Sequence, residues 1–556
     1  MINFLRRVGV LMVIAIVAIG GLWATKQDFG LGRNMEIMVN LMRELSLQYV
    51  DEVAPDKLMK DGATGMVRNL DPYTTYMSES EMNDFEMLAT GKYGGIGATI
   101  RMKRDSSGVV IAQPYKGSPS DLAGLKIGDK FVSIDGEDVR KATSADISSK
   151  LKGTPGTKVK LSVERLMTGK VEEFEIERAR ISIPGVPYAG FVSDGVGYIR
   201  HNDFTDGCYD EMRAAVERLR REGELKGLIL DYRDNGGGSL PEAVKILSIF
   251  LPKDTKVVTM KGRTDRSKRE YVTESTPVLP DVPMVALING NSASASEIVC
   301  GALQDMDRAV LMGQRSYGKG LVQSLMPLGY NAYAKITTAK YYIPSGRCVQ
   351  RINYSSHDGN KENIPDSLIR EFKTRNGRKV YDGKGLMPDV KTDPEYISTF
   401  AMMLYNLGYV EDFLDGYMRR NPNLKVDNRS FSISDSDYED FVKFMSDKDV
   451  PYESRTRIAL ENLKKISKEE RYDANFADDL KQIEAKLKDQ TADNLRHYRA
   501  EMMDLLNGDV VMRHNYLEGV VEHNLVSDST VMKAVELLRD GDRYKKILSE
   551  QHTSKN

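Results

Sequence analysis

The chain has 556 residues, enough for several domains. Its 79 lysines and arginines nearly balance 81 aspartates and glutamates, so overall charge gives no argument for nucleic acid or for an acidic partner. Three scattered cysteines, Cys208, Cys300 and Cys348, are too few for a disulfide framework or a metal cluster, and the six histidines include no HExxH or other close ligand pair. The cysteines read as buried small hydrophobes, with one disulfide as the alternative.

Residues 1–25 follow a basic start, Arg6 and Arg7, with the uncharged run VGVLMVIAIVAIGGLWA. This pattern matches a secretory signal or a membrane anchor. Leu22 stands where cleavage after Ala24 calls for a small residue, which leaves retention as an anchor open. Over 26–90 apolar residues recur at helix spacing, broken by the turn Leu70-Asp71-Pro72-Tyr73, and the segment reads as a helical cap. Over 91–168 a glycine-rich opening (Gly94, Gly95, Ile96, Gly97), the segment GSPSDLAGLKIGD, one amphipathic helix in SADISSKLKG and a closing strand resemble a PDZ domain. The resemblance implies that amides of the Gly94–Gly97 stretch capture the terminal carboxylate of a peptide, which adds a strand to the sheet edge.

Strand and helix alternate from 181 onward. GVGYIRHNDF is a strand ending beside His201, which reads as structural. CYDEMRAAVERLRRE is an amphipathic helix, and KGLILDYRDNGGG is a buried strand running into a glycine turn. The turn either presents backbone amides to a ligand or is a plain loop before a helix capped by Ser239 with Pro241 in its first turn. The stretch 281–323 then reads as a strand over 282–289, a small-residue turn, a helix from Ser294 to about Met306, a strand over 309–312 and the glycine-flanked Lys319. A serine between strand and helix points its hydroxyl out of the turn. The Ala295 amide, at a helix N-terminus, suits a developing oxyanion. Serine needs a base, and Lys319 is the candidate in this stretch, provided burial or a cationic neighbour lowers its pKa. The run Ser294-Ala295-Ser296-Glu297 is equally a capping box. A P-loop reading of 313–320 fails, because the position that must carry a hydroxyl is Gly320 and strands follow in place of a helix.

Together, SASASEI, GALQD and YGKGLVQ at this spacing resemble the carboxy-terminal processing peptidases, PDZ-containing serine proteases of the tail-specific type with a Ser-Lys dyad. The resemblance spans about 34–390. It implies an α/β fold, with a crotonase-like (ClpP-like) protease core over 181–392, an inserted and mostly β PDZ domain, an N-terminal helical cap and an all-α region over 393–556. It implies Ser294 as nucleophile, Lys319 as base and Gln323 as the residue that orients the lysine. The oxyanion hole would combine Ala295 with Gly237 or Gly238, leaving Ser292 and Ser296 as spacing and cap residues, with no metal or cofactor. Substrates would be proteins or peptides with accessible C-termini, met in the cell envelope by an enzyme that is periplasmic or anchored to the inner membrane. The N-terminal helices cap the core or join subunits into a homo-oligomer. An insertion over 352–378 departs from the family pattern. Beyond 393, helix-spaced Leu, Ile and Ala among many Lys and Glu suit a solvated bundle that supports the fold or mediates oligomerisation. The contrasting reading, a non-catalytic PDZ scaffold of the cell envelope, leaves Ser294, Lys319 and Gln323 without a shared role.

Overall fold

Apolar runs with no polar interruption, LIL at 228–230 and MVALI at 284–288, demand cover on both faces of a sheet. The computed structural model, which describes residues 26–264, 267–354, 362–394, 396–487 and 491–549, shows how that cover is provided. Residues 1–25, read as a signal or anchor, lie outside the described residues. No described helix is long and apolar enough to cross a membrane.

The chain divides into two units, one of residues 1–82, 323–337 and 354–361, the other of the remainder. In the first, helices Lys26–Gln48 and Pro55–Val67 precede the short strand Thr75–Met77, which pairs antiparallel with residues 333–335. The longer helix leaves Leu31, Met35, Val39 and Leu47 exposed.

The second unit is organised on a six-stranded sheet in the order Tyr188–Ser193, Val196–Arg200, Gly227–Asp231, Met284–Ile288, Val310–Gly313 and Val390–Lys391. The first pair is antiparallel and the rest are parallel. Strand alternation sends Leu228, Leu230, Met284, Ala286 and Ile288 to one face, against helices Cys208–Glu222, Leu240–Phe250 and Ala295–Asp305. It sends Ile229, Val285, Leu287 and Val310 to the other, against helices Ser529–Arg539 and Gly541–Ser549. Burying each of the leucine, isoleucine, valine and methionine side chains contributes about 1.5–3 kcal/mol. The Tyr544 hydroxyl fixes the second layer by accepting from the Met284 N–H at 2.9 Å. The last helices of the all-α region therefore return to the six-stranded sheet.

The PDZ domain is a sheet ordered Ala98–Met102, Val109–Pro114, Lys130–Ile134, Lys158–Glu164 and Val171–Glu177. Its helix Ser144–Leu151 starts at a Thr143–Asp146 capping box. The Ser118-capped segment forms a second, four-residue helix, Pro119–Leu122. Helices Thr399–Asn406, Tyr409–Arg420, Asp435–Met445, Thr491–His497 and Arg499–Asn524 close a separate core around Phe400, Phe413, Phe441 and Met502. Within the insertion, hairpin Glu371–Lys373/Lys379–Tyr381 carries Arg378, 2 % exposed, between Asp307 at 2.6 Å and Asp389 at 2.5 Å. All three cysteines are free; Cys208 and Cys300 are buried as read, whereas Cys348 is only partly so.

Candidate active site

Ser294 joins the end of the strand Met284–Ile288 to the helix Ala295–Asp305 in a conformation that L-residues rarely adopt, φ 56° and ψ −114°. Such backbone strain persists only where surrounding bonds over-determine it. Four bonds to three residues supply that constraint. Ser292 Oγ donates to Tyr232 O at 2.8 Å, and Ser296 Oγ donates to Asn235 O at 2.9 Å. The Ala293 N–H reaches the same Asn235 carbonyl at 3.0 Å. The Ser294 N–H donates to Glu297 Oε2 at 2.9 Å, as a capping box requires.

Glu297 does more than cap. Fully buried, its carboxylate also accepts from the Lys319 N–H at 2.8 Å, the Gly318 N–H at 2.8 Å and Ser316 Oγ at 2.5 Å. Burial pushes its pKa up, against the four donors that hold it down. One side chain thus grips the backbone of both the serine turn and the lysine loop. Tyr341, on the strand Ala332–Tyr342, grips them again from the carbonyl side: its hydroxyl lies 2.7 Å from Lys319 O and 3.1 Å from Ser294 O. Both Ser294 and Lys319 remain half-buried. The loop can lie this close because Gly320 has no Cβ; one there would stand 2.8 Å from the Gln350 N atom. Gln323 stands in the other unit on the strand Leu321–Gly329, and its amide donates to Thr337 Oγ1 at 3.1 Å.

The glycine turn after the strand Gly227–Asp231 packs directly on this corner. Gly237 has φ 98°, and a Cβ there would fall 2.7 Å from Ser294 Cβ and 2.8 Å from Ala295 N. The Gly237 N–H donates to Asn235 Oδ1 at 2.9 Å, while Asn235 Nδ2 donates to His201 O at 2.8 Å. Asp231 and Arg233 anchor the turn from below: Arg233 bridges Asp231 and Asp528, each at 2.6 Å, and Asp528 caps the helix Ser529–Arg539. Burial alone would raise the Asp231 pKa, but Arg233 and Arg200 outweigh it and hold the carboxyl at about 2. His201 is buried behind the turn, 4.3 Å from the Phe204 ring centroid and 5.1 Å from that of Tyr232.

In the PDZ domain a cavity of about 380 Å³ opens between the edge strand Ala98–Met102 and the helix Ser144–Leu151, walled by Tyr93, Ile96, Ile100, Tyr115, Leu151 and Ile183. Of the four residues singled out by sequence, Ile96 borders this cavity and Gly97, with φ 78°, follows it. Gly94 and Gly95 sit instead in the strand Lys92–Gly95, paired with Ala179–Ser182. Sequence reasoning did not single out Glu297 beyond its cap, nor Asn235, Tyr341 or the tyrosine walls of the cavity.

A parallel-sheet core with a strained serine turn, a lysine loop tied to it and an appended PDZ groove is the architecture of a serine peptidase that handles peptides. Residues 195–357 match peptidase family S41, 110–165 a PDZ domain, and 400–538 the C-terminal helical domain of probable PDZ-proteases. A carboxy-terminal-processing protease of Bartonella bacilliformis is 31% identical over 347 residues, covering 62% of this chain and 79% of that protein. A probable CtpA-like serine protease of Staphylococcus aureus is 29% identical over 416 residues, 73% of this chain and 79% of its own. Among solved structures, a photosystem II D1 C-terminal processing protease is 24% identical with a TM-score of 0.34, over 64% of this chain and 87% of that one. The chain belongs to peptidase family S41, the carboxy-terminal-processing serine proteases.

Proposed function

We propose that this protein is a serine endopeptidase working through a Ser294–Lys319 dyad on proteins whose C-termini its PDZ groove receives. The observation that carries the reading is Glu297, whose single carboxylate holds the backbone of the candidate nucleophile and the candidate base at 2.9 and 2.8 Å. A cap needs only the first of these bonds.

In the proposed reaction the unprotonated Lys319 amine takes the proton from Ser294 Oγ as that oxygen attacks the scissile carbonyl. The tetrahedral oxyanion lies against the Ala295 N–H at the helix N-terminus and the Gly238 N–H; the Gly237 N–H is already engaged by Asn235. Collapse breaks the C–N bond, the leaving amine takes the proton from Lys319, and water attacks the acyl-serine by the same proton path in reverse. Gln323 orients Lys319, a role that rests on its place in the sequence motif. Ile96 and Gly97 supply the PDZ carboxylate contact, with Gly94 and Gly95 setting the strand that leads into it.

The reading includes a cell-envelope location, periplasmic or inner-membrane anchored, resting on the run within 1–25. It also includes self-association through helical regions, which the exposed Leu31, Met35, Val39 and Leu47 support. The test is cleavage of an unfolded protein with an apolar C-terminus by the full chain, beside Ser294→Ala and Lys319→Ala. Each variant should lose at least about 1,000-fold in kcat while keeping the parent's melting temperature. Undiminished cleavage by Lys319→Ala sinks the dyad. A parent that binds C-terminal peptides and never cleaves points to the scaffold reading.

A further inference from the structure

We infer that Tyr341 is a positioning residue, its hydroxyl setting the separation between the serine turn and the lysine loop. This rests on the dyad reading.

Two independent cross-ties join the same two stretches of backbone. Glu297 ties them through their N–H groups, and the Tyr341 hydroxyl ties them by sharing its one proton between the carbonyls of Lys319, at 2.7 Å, and Ser294, at 3.1 Å. The two ties come from different parts of the fold. Glu297 belongs to the helix that Ser294 begins, while Tyr341 stands on a strand that pairs with Lys256–Gly262 and takes no part in the six-stranded sheet. The Tyr341 N–H closes the arrangement by donating to Gly320 O at 3.0 Å, so the tyrosine holds the lysine loop by backbone as well as side chain. At 1 % exposure the ring cannot turn away without displacing its neighbours, which makes the hydroxyl a fixed point.

A backbone carbonyl has no rotamer to adjust, and the Ser294 peptide is strained. With the hydroxyl gone, the N–H tie through Glu297 and the Tyr341 N–H bond to Gly320 O remain, but nothing on the carbonyl side sets the separation between the strained turn and the loop. Proton transfer from serine to lysine needs the two side chains within hydrogen-bond reach, and a displacement of about 1 Å costs on the order of 100-fold in rate. The PDZ groove lies in a different part of the chain, so substrate capture should be untouched.

The alternative is an ordinary core tyrosine whose hydroxyl merely finds acceptors. Tyr341→Phe separates the two, because it keeps the ring and removes only the oxygen. In the full chain, positioning predicts that kcat falls about 10- to 100-fold, with KM and the affinity for a C-terminal peptide changed less than twofold. Labelling of Ser294 by a fluorophosphonate, followed at 15 °C, well below unfolding, should slow in parallel. A purely structural role predicts a lower melting temperature with kcat and labelling rate unchanged at 15 °C, and that result overturns the inference. Ser294→Ala and Lys319→Ala run alongside: if both are inactive while Tyr341→Phe keeps full kcat, the positioning role falls and the dyad stands. If Lys319→Ala keeps full activity, the dyad itself falls.

Discussion

His201 illustrates how a residue near the site can matter to pH without taking part in chemistry. Its Nε2 lies 3.0 Å from Asp203 O, and since a carbonyl only accepts, Nε2 carries the proton and Nδ1 is bare. No partner among the described residues meets Nδ1, and burial lowers the pKa to about 3. In the unfolded chain the same ring titrates near about 6.5, so between these values the unfolded state binds one more proton. Stability from this group is therefore complete above the unfolded pKa and is lost as pH falls, by about 1.4 kcal/mol per pH unit, or about 2 kcal/mol by pH 5. Asp231, held at about 2, adds nothing to that window, since its contribution is lost only below its ordinary carboxylate range. Urea unfolding at pH 7.5 and pH 5 should show the parent losing about 2 kcal/mol more than His201→Gln over that interval. Equal losses in the two proteins dismiss the histidine as the cause.

At the scale of elements, the serine turn and the lysine loop were legible because their signals are local. Small residues between an apolar strand and a helix, and glycines either side of a lysine, appear within a few positions of each other. Glu297 was legible only as a cap, since its other partners lie in the loop at 316–319, and nothing in a periodicity marks Tyr341 or Asn235 as meeting that corner. The same limit applied to the sheet. Continuous apolar strands announced burial on both faces, yet could not name helices Ser529–Arg539 and Gly541–Ser549 as the second layer. The end of a region read as a solvated bundle proves to cover one face of the protease sheet. Leu537, 1 % exposed on the helix Ser529–Arg539, should accordingly behave as a protease core residue: Leu537→Ala should cost about 2–5 kcal/mol in urea unfolding followed by Tyr232 and Tyr341 burial or by loss of turnover. If the peptidase transition stays at the parent midpoint while only the helical region melts early, this helix is not part of the core's cooperative unit.

At the scale of the whole second unit, the PDZ domain is held by the very strand a peptide would extend. Ala98–Met102 is the open edge of its sheet. Arg101 on that strand forms a two-pronged pair with Glu411 of the helix Tyr409–Arg420, at 2.7 and 3.1 Å, and Lys103 lies 3.4 Å from Asp412 and 3.3 Å from Asp415. Arg513 fixes Asp415 from behind at 2.7 Å, and the Arg104 guanidinium covers the Tyr405 ring at 4.0 Å. Exposed ion pairs contribute little, but Glu411 is 7 % exposed, so the pair with Arg101 is only partly open to screening. Charge-assisted bonds of this kind contribute about 1.5–3 kcal/mol. The contacts of Arg101 and Lys103 are ionic, so they should weaken with salt far more than the apolar protease core does. Hydrogen exchange over 98–111 should quicken between low salt and about 0.5 M salt, where the Debye length falls to a few ångströms, while exchange in the strand Met284–Ile288 stays constant. Glu411→Gln should bring the fast exchange about at low salt, because the amide no longer attracts Arg101. A PDZ edge strand that exchanges at the same rate in parent and variant, at both salt levels, shows that the domain is held by something other than this charge cluster. The hold on the domain then falls to other contacts, such as Tyr516, whose hydroxyl donates to Asp121 at 2.8 Å.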